Sequence, residues 1–358
     1  MKRILSLTLG YAKKPVLAAK IRPAIAAQVR ANSTPASYPP KVLITGSMGQ
    51  LGYPLAKKLR SRFGSENIVV SDIVKPPRSV YVEGPYVFAD ILDFKNLQEK
   101  VVTYQIDTVI HFSALLSAIG EQNTPLAMRV NIEGLHNVLE VCRQYKIKLF
   151  VPSTIGAFGP DSPRNPTPDV TVQRPRTIYG VSKVHAELMG EYYYYKFGLD
   201  FRSLRFPGVI SADTNPGGGT TDYAVEIFHD SLHPTCTHKC FLSPETRLPM
   251  MYVDDCINAI EQFVFDTDSK QLSRRTFNVA AMSFTPEELV AAVRKHVPQL
   301  KVEYKPDERQ LIADTWPQVF DDSGSRQQWG WSHKHDIDSL CNIMFEKLQE
   351  IHANKTGN

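Results

Sequence analysis

The sequence predicts an α/β fold, a doubly wound parallel sheet joined to a smaller C-terminal domain. Three observations predict it. Short runs rich in β-branched and apolar residues recur at 41–45, 67–72, 86–89, 107–112 and 148–151, with helix-length stretches between them. A glycine-rich turn follows the first run at once. The second run ends on a carboxylate, Asp72. Strands alternating with helices at this spacing imply crossover units, and crossovers demand parallel strands with helices on both faces. With 358 residues, 42% of them hydrophobic, the chain can bury a core without disulfides. Its five scattered cysteines, at 142, 236, 240, 256 and 341, fit free thiols in a reducing compartment.

The formal charge of +4 is uneven along the chain. Residues 1–40 carry seven basic side chains and no acid, the first acid being Glu66; the remainder holds 34 basic against 37 acidic residues, a net of −3. A body of that charge offers no broad basic face for phosphate backbones, which argues against nucleic-acid binding. No apolar run approaches the roughly 20 residues of a membrane helix. An acid-free, Arg/Lys-bearing, Ala- and Ser-rich start has the character of a mitochondrial transit peptide, with a disordered basic tail as the alternative. Residues 32–40 read as linker, so the folded body is expected from Lys41, and 1–40 as transit peptide and linker.

The first strand, 41–45, runs into Gly46-Ser47-Met48-Gly49-Gln50-Leu51-Gly52 and a helix at 51–62. Gly46 permits a tight turn, Gly49 removes a side chain where a pyrophosphate approaches backbone N–H groups, and Gly52 permits close helix–strand packing. The second strand, 67–72, places Asp72 20 residues past Gly52, where a carboxylate accepts hydrogen bonds from ribose hydroxyls and repels a 2′-phosphate. The third, 86–89, ends in Asp90-Ile91, an expected adenine contact. The fourth, 107–112, leads into Ser113-Ala114. A helix is expected from Thr124 as N-cap, with Pro125 in its first turn, to about Tyr145. The fifth strand, 148–151, opens onto Pro152-Ser153-Thr154.

Twenty-five residues beyond Thr154 comes Tyr179-Gly180-Val181-Ser182-Lys183. Positions four apart share a helix face, so phenol and ammonium point into one site. A cation beside a phenol favours phenolate and is expected to lower the Tyr179 pKa from its ordinary value near 10. That would make Tyr179 a base for a hydroxyl proton while hydride leaves for a nicotinamide.

This combination resembles the extended short-chain dehydrogenase/reductases, from Lys41 to about residue 345. The resemblance implies a Rossmann-type fold, NAD as cofactor, and Thr154, Tyr179 and Lys183 as catalytic residues. Gly46, Ser47, Met48, Gly49, Gln50, Leu51, Gly52, Asp72, Asp90, Ile91, Ser113, Asn131, Tyr179, Lys183 and Val209 are expected to line the cofactor. Asn131 falls where the family keeps a helix Asn that supports the Lys through water. Tyr252-Val253-Asp254-Asp255 with Ala259, Phe277-Asn278-Val279, and the capping box opened by Thr285-Pro286-Glu287-Glu288 match later landmarks. Within the family, the segments at 152–160, 216–224 and 306–331 resemble the branch that oxidises the β-hydroxyl of L-threonine. That implies a small-molecule substrate, L-threonine, and a homodimer paired through helices including the one bearing Tyr179. The expected boundaries are a cofactor domain at 41–206 rejoined by about 253–282, a substrate domain at 207–250 and 283–345, and a tail at 346–358.

A pocket for threonine needs short hydroxyl and backbone donors. The resemblance places Ser117, Thr220 and Thr221 near the substrate together with Thr154 and Tyr179; loop hydroxyls facing water or capping a helix are the alternative. Arg309 either pairs with the substrate carboxylate or sits in a surface ion pair. Trp316, Trp329 and Trp331 read as core, the four tyrosines 192–195 as a helix end with some rings at an oligomer surface, and Lys57-Lys58-Leu59-Arg60 as a solvated helix face. His229, His233, Cys236, His238 and Cys240 are dense in potential zinc ligands, but their spacing matches no common structural zinc pattern, and no metal is expected. Two other functions remain open: an epimerase or dehydratase acting on a nucleotide sugar, and a catalytically idle NAD-binding subunit of mitochondria. Gly208-Val209 stand where nucleotide-sugar enzymes carry Asn-Pro, which counts against the first. Retention of Thr154, Tyr179 and Lys183 together counts against the second.

Overall fold

The computed structural model describes residues 38–214 and 216–356, so the expected transit segment and most of its linker lie outside the described residues. The described chain from Pro39 onward belongs to one compact unit. Its first half runs β1 (Val42–Thr45), α1 (Gly52–Phe63), β2 (Ile68–Asp72), α2 (Arg78–Glu83), β3 (Tyr86–Phe88), α3 (Phe94–Thr103), β4 (Thr108–His111), α4 (Ser117–Gln122), α5 (Thr124–Met128), a π-helical turn (Arg129–Gly134), α6 (Leu135–Tyr145) and β5 (Lys148–Phe150). There follow β6 (Ser153–Thr154), a 3-10 turn (Ile155–Ala157), α7 (Ile178–Phe197), β7 (Phe201–Phe206), β8 (Gly208–Ile210), α8 (Tyr223–Leu232), β9 (Thr237–Cys240), β10 (Leu248–Tyr252) and α9 (Val253–Glu261). Last come β11 (Thr276–Asn278), β12 (Met282–Phe284), α10 (Pro286–Arg294), β13 (Lys301–Tyr304), α11 (Glu308–Ala313), α12 (Ser323–Trp329) and α13 (Ile337–Thr356).

The central sheet has eight strands in the order β11-β7-β5-β4-β1-β2-β3, with β6 beside β7, and every pairing in it is parallel. Successive side chains of a strand point to opposite faces. Val42 and Ile44 accordingly enter one apolar core with Leu55 and Leu59 of α1, while Leu43 enters another with Leu135, Val138 and Leu139 of α6. Burial on both faces is what makes β1 read as a continuous apolar run rather than an alternating one. The expected α/β doubly wound, Rossmann-type sheet is therefore present. Two smaller sheets lie in the C-terminal half: β12-β10-β8, and a parallel pair of β13 with β9.

The chain winds outward from β1 through β2 to β3, then returns to place β4 on the other side of β1. That reversal opens a crevice at the carboxyl ends of β1 and β4, the usual ligand position in open α/β sheets. Thr45 and His111 end these strands and face each other, Thr45 Oγ1 lying 2.8 Å from His111 Nδ1.

The helix expected from Thr124 to Tyr145 differs in two ways. Its cap is Asn123, whose side chain accepts from the Leu126 N–H, with Thr124 already inside. The run is also interrupted by the π-helical turn that carries Asn131. A π-turn depends on which carbonyl each N–H selects, and side-chain periodicity does not report that choice.

Candidate active site

The turn after β1 is shaped by what a side chain would strike. Gly46 has φ +65° and a Cβ there would lie 2.6 Å from the Ser113 backbone nitrogen; a Cβ on Gly52 would lie 2.6 Å from Ser47 Cα. Packing thus requires both glycines. Gly49 is different: its Cβ would meet only the Gly46 carbonyl, at 3.4 Å, on the exposed side of the turn. Its absent side chain leaves open space beside the start of α1. Ser47 Oγ is buried without a partner. Asp72 braces the cradle, accepting from Met48 N at 2.9 Å, Ile73 N at 2.8 Å and Val74 N at 3.2 Å. Gln50 reaches across to donate to the Val209 carbonyl at 3.4 Å. An open glycine at a helix start, an orphaned hydroxyl and a strand-end carboxylate fit a dinucleotide. Asp90 accepts from Leu92 N, and Ile91 is buried in the core beside α6.

Helix α7 brings the reactive groups together. Thr177 caps it, accepting from Gly180 N at 3.1 Å, an interaction typically worth about 1 kcal/mol. A Cβ on Gly180 would come within 2.2 Å of the Gly156 carbonyl, so only glycine lets the first turn of α7 rest on the turn after Thr154. Tyr179 is thereby held against Thr154. Thr154 Oγ1 accepts from Gly156 N at 3.1 Å, which leaves its hydroxyl hydrogen free for Tyr179. Lys183 Nζ donates to the Pro152 carbonyl at 2.9 Å and lies over the Tyr179 ring, 5.6 Å from its centroid.

The expected lowering of the Tyr179 pKa is not found. Burial pushes it up to about 12, with the Thr154 hydrogen bond acting the other way. The ammonium that was to lower it points to the Pro152 carbonyl, and it is itself brought down to about 8 by burial, against the pull of Glu187.

Asn131 accepts from Leu115 N at 2.8 Å, donates to the Leu115 carbonyl at 2.9 Å, and donates to Ser182 Oγ at 3.2 Å. It ties the loop after β4 to α7. Beside it lies a cavity of about 10 Å³ lined by His111, Ser113, Asn131, Ser182 and Lys183. One water needs roughly 10–15 Å³, so the space between Asn131 and Lys183 is of water size. His111 is held neutral there, its pKa brought down to about 3 by burial and then by the Lys183 charge.

Ser117 opens α4, which is tied to α7 where Ile178 N donates to Glu121 at 2.7 Å. Thr220 is buried in the turn before α8, and Thr221 packs onto Gly208. Arg309 is paired with Asp307 at 2.6 Å and lies over the Phe241 ring. Trp329 and Trp331 are core; Trp316 is also buried, yet its ring would lie 3.6 Å from a Cβ on Gly156, beside Thr154. Arg60 is not on a solvated face: it is buried, bound to Glu83, and donates to the Pro85 carbonyl. His238 pairs with Asp230 and His233 with Thr235, and among the described residues no three His, Cys, Asp or Glu side chains converge as metal ligands. The described helices include none long and apolar enough to cross a membrane.

Residues 42–280 match the family model for the NAD dependent epimerase/dehydratase family. The chain belongs to that family. It is 61% identical over 305 residues to the mitochondrial L-threonine 3-dehydrogenase of Bos taurus, covering 85% of this chain and 81% of the relative. Among solved structures it is similar to the L-threonine dehydrogenase of Phytophthora infestans, with 47% identity, a TM-score of 0.83, and coverage of 87% of this chain and 99% of the other. It is likewise similar to a monomeric L-threonine 3-dehydrogenase from a metagenome, at 39% identity and TM-score 0.82, covering 87% and 99%. The glycine cradle, Asp72, Thr154, Tyr179 and Lys183 all lie inside the matched region.

Proposed function

We propose that this chain is an NAD-dependent L-threonine 3-dehydrogenase, oxidising the β-hydroxyl of L-threonine to give 2-amino-3-oxobutanoate and NADH. The observation that carries the reading is the meeting of Tyr179, Thr154 and Lys183 beside a dinucleotide cradle, in a chain 61% identical to an enzyme of that name. When bound, NAD supplies the hydride acceptor. The turn at 46–52 would hold the pyrophosphate with backbone N–H groups and Asp72 would take the ribose hydroxyls, while Asp90, Ile91, Ser113, Asn131 and Val209 would complete the lining. Thr154 orients the threonine hydroxyl. Tyr179, as phenolate, takes the hydroxyl proton while the β-hydrogen leaves with its electron pair, so the C–O bond becomes a carbonyl. Lys183 would hold the nicotinamide ribose and keep its positive charge over the Tyr179 ring. Thr220 and Thr221, from the substrate side of 207–250 and 283–345, and Ser117, from the cofactor side of 41–206 and about 253–282, receive the ammonium and carboxylate.

The acid-free segment supports mitochondrial delivery, to the matrix, with removal of residues up to between 30 and 40. The exposed stripe of Val181, Leu188, Tyr192 and Tyr195 along α7 supports a homodimer packed through that helix. Sedimentation of the purified protein reads the second, and import of a chain lacking residues 1–36 reads the first.

The deciding assay offers NAD with a panel of amino acids and nucleotide sugars and follows NADH. L-Threonine should be the productive substrate, and Tyr179→Phe should lower kcat by roughly 10²–10⁴ with NAD affinity nearly unchanged. Conversion of a nucleotide sugar without threonine oxidation would overturn the proposal.

A further inference from the structure

Tyr179, Lys183 and Glu187 follow one another at intervals of four along α7, so all three line one face. The mechanism uses the first two. Glu187 is 3% exposed, and its carboxylate is fully engaged: Oε1 accepts from Ser153 Oγ and, at 2.9 Å, from Arg205 Nε; Oε2 accepts from Arg205 Nη2 at 2.7 Å and from Gln173 Nε2 at 3.0 Å. Arg205, 5% exposed, also donates to the Asp169 carbonyl and to Asn278 Oδ1. A buried ion pair is poor evidence for stability, because apolar residues of similar volume often serve as well. Its position suggests another task.

Three consecutive residues, 152 to 154, are fastened to α7 one by one. The Pro152 carbonyl receives Lys183, the Ser153 hydroxyl is held by Glu187, and Thr154 is left facing Tyr179. We infer that Glu187 is a positioning residue for threonine oxidation: it clamps Ser153 so that Thr154 meets Tyr179, and it sets a carboxylate one turn beyond Lys183 on the same helix face. This rests on the reaction proposed above. Burial lowers the Lys183 pKa, and the Glu187 charge opposes that. Arg205 fixes the carboxylate without donating to Lys183. The other titratable groups near this pair are Glu191 one turn along α7, Asp169 ahead of α7, Arg274 and Arg275 just before β11, and neutral His111 on β4.

The test uses the intact protein with lysine labelled at Cε, the Lys183 signal being the one lost in Lys183→Met. In the protein without cofactor, Glu187→Gln should lower the Lys183 titration midpoint by about one pH unit or more, the usual effect of an adjacent opposite charge. Glu187→Gln/Arg205→Met, which leaves no unpaired guanidinium, should lower it less. Ser153→Ala should leave the midpoint in place yet lower kcat roughly tenfold or more through the lost clamp, with NAD affinity changed less than kcat. An unchanged Lys183 midpoint in folded Glu187→Gln, or in the double variant should the single one fail to fold, overturns the electrostatic role; a Ser153→Ala enzyme with wild-type kcat overturns the clamp. Absence of threonine oxidation by the wild type would instead count against the proposed reaction, and the titration of the cofactor-free protein stands apart from that outcome.

Discussion

Thr221 closes so tightly on Gly208 that a Cβ on the glycine would meet Thr221 Cγ2 at 2.7 Å and Met250 Sδ at 2.4 Å. Met250 is fully buried, and Thr221 Cβ, 3.0 Å from the same point, is fixed to its backbone, so neither yields freely. Gly208 therefore sets how near Thr221 comes to Val209, whose carbonyl is bound by Gln50 of the cofactor turn. Gly208→Ala should cost about 1–3 kcal/mol of stability as an overpacked site. It should also lower kcat/KM for threonine roughly tenfold or more through misplacement of Thr221, with less effect on NAD affinity. Paired denaturant melts and steady-state kinetics check both; an unaltered kcat/KM would detach Thr221 from the substrate.

The pH dependence should carry two marks. In the cofactor-free protein, the phenolate absorbance of wild type minus Tyr179→Phe should appear only above the ordinary 10.0, because burial holds Tyr179 at about 12. Oxidation needs phenolate and ammonium together. The rate should climb with pH and then level near 8, where each further gain of phenolate is cancelled by loss of the Lys183 proton. The residual rate of Lys183→Met should show no such bend.

Cofactor choice is expected to rest on Asp72. A 2′-phosphate would meet a carboxylate already fixed by three backbone N–H groups and unable to turn aside. Asp72→Asn keeps an acceptor for Ile73 and Val74 but removes the charge. It should narrow the preference for NAD over NADP by roughly tenfold, which corresponds to about 1.4 kcal/mol. Equal kcat/KM with both cofactors in the wild type would refute the assignment.

Acid should destabilise the fold through His111. Its folded value, about 3, lies below the unfolded 6.5, so the unfolded chain binds the extra proton between them. Stability present above 6.5 is then lost as pH falls toward about 3, at up to about 1.4 kcal/mol per unit. Urea midpoints at neutral and mildly acidic pH should converge in His111→Asn relative to wild type. An equal acid sensitivity in both would place the lost stability elsewhere.

Local signals in the sequence carried much of this site. The spacing of Gly46, Gly49 and Gly52 announced a strand, turn and helix, and the interval from Tyr179 to Lys183 announced a shared helix face. Each needs only a dozen residues of context. What was missed needs the whole fold. Nothing local marks Glu187 and Arg205 as a buried pair, which exists only once α7 is laid against β7. The Tyr179 ionisation reversed because burial, which no spacing encodes, outweighs a cation directed at Pro152. Arg60 looked solvated until Glu83 arrived from after β2. The β9–β13 and β8–β10 pairings join segments dozens of residues apart through backbone bonds that leave no side-chain pattern.

The π-helical turn at Arg129–Gly134 has a consequence for how this protein can change length. One extra residue in a helix rotates everything beyond it by about 100°. The turn therefore puts α5 and α6 out of phase, so that Ala127 before it and Leu135, Val138 and Leu139 after it can all be buried while Asn131 turns toward α7. Deleting any one residue of the turn would leave a smoother helix of nearly the same composition. It would also swing the apolar side of α6 about a quarter-turn off the sheet, or else pull Asn131 away from Leu115 and Ser182. Substitutions can drift here, but insertions and deletions cannot, and this short stretch should hold constant length in descendants whose surface loops vary freely.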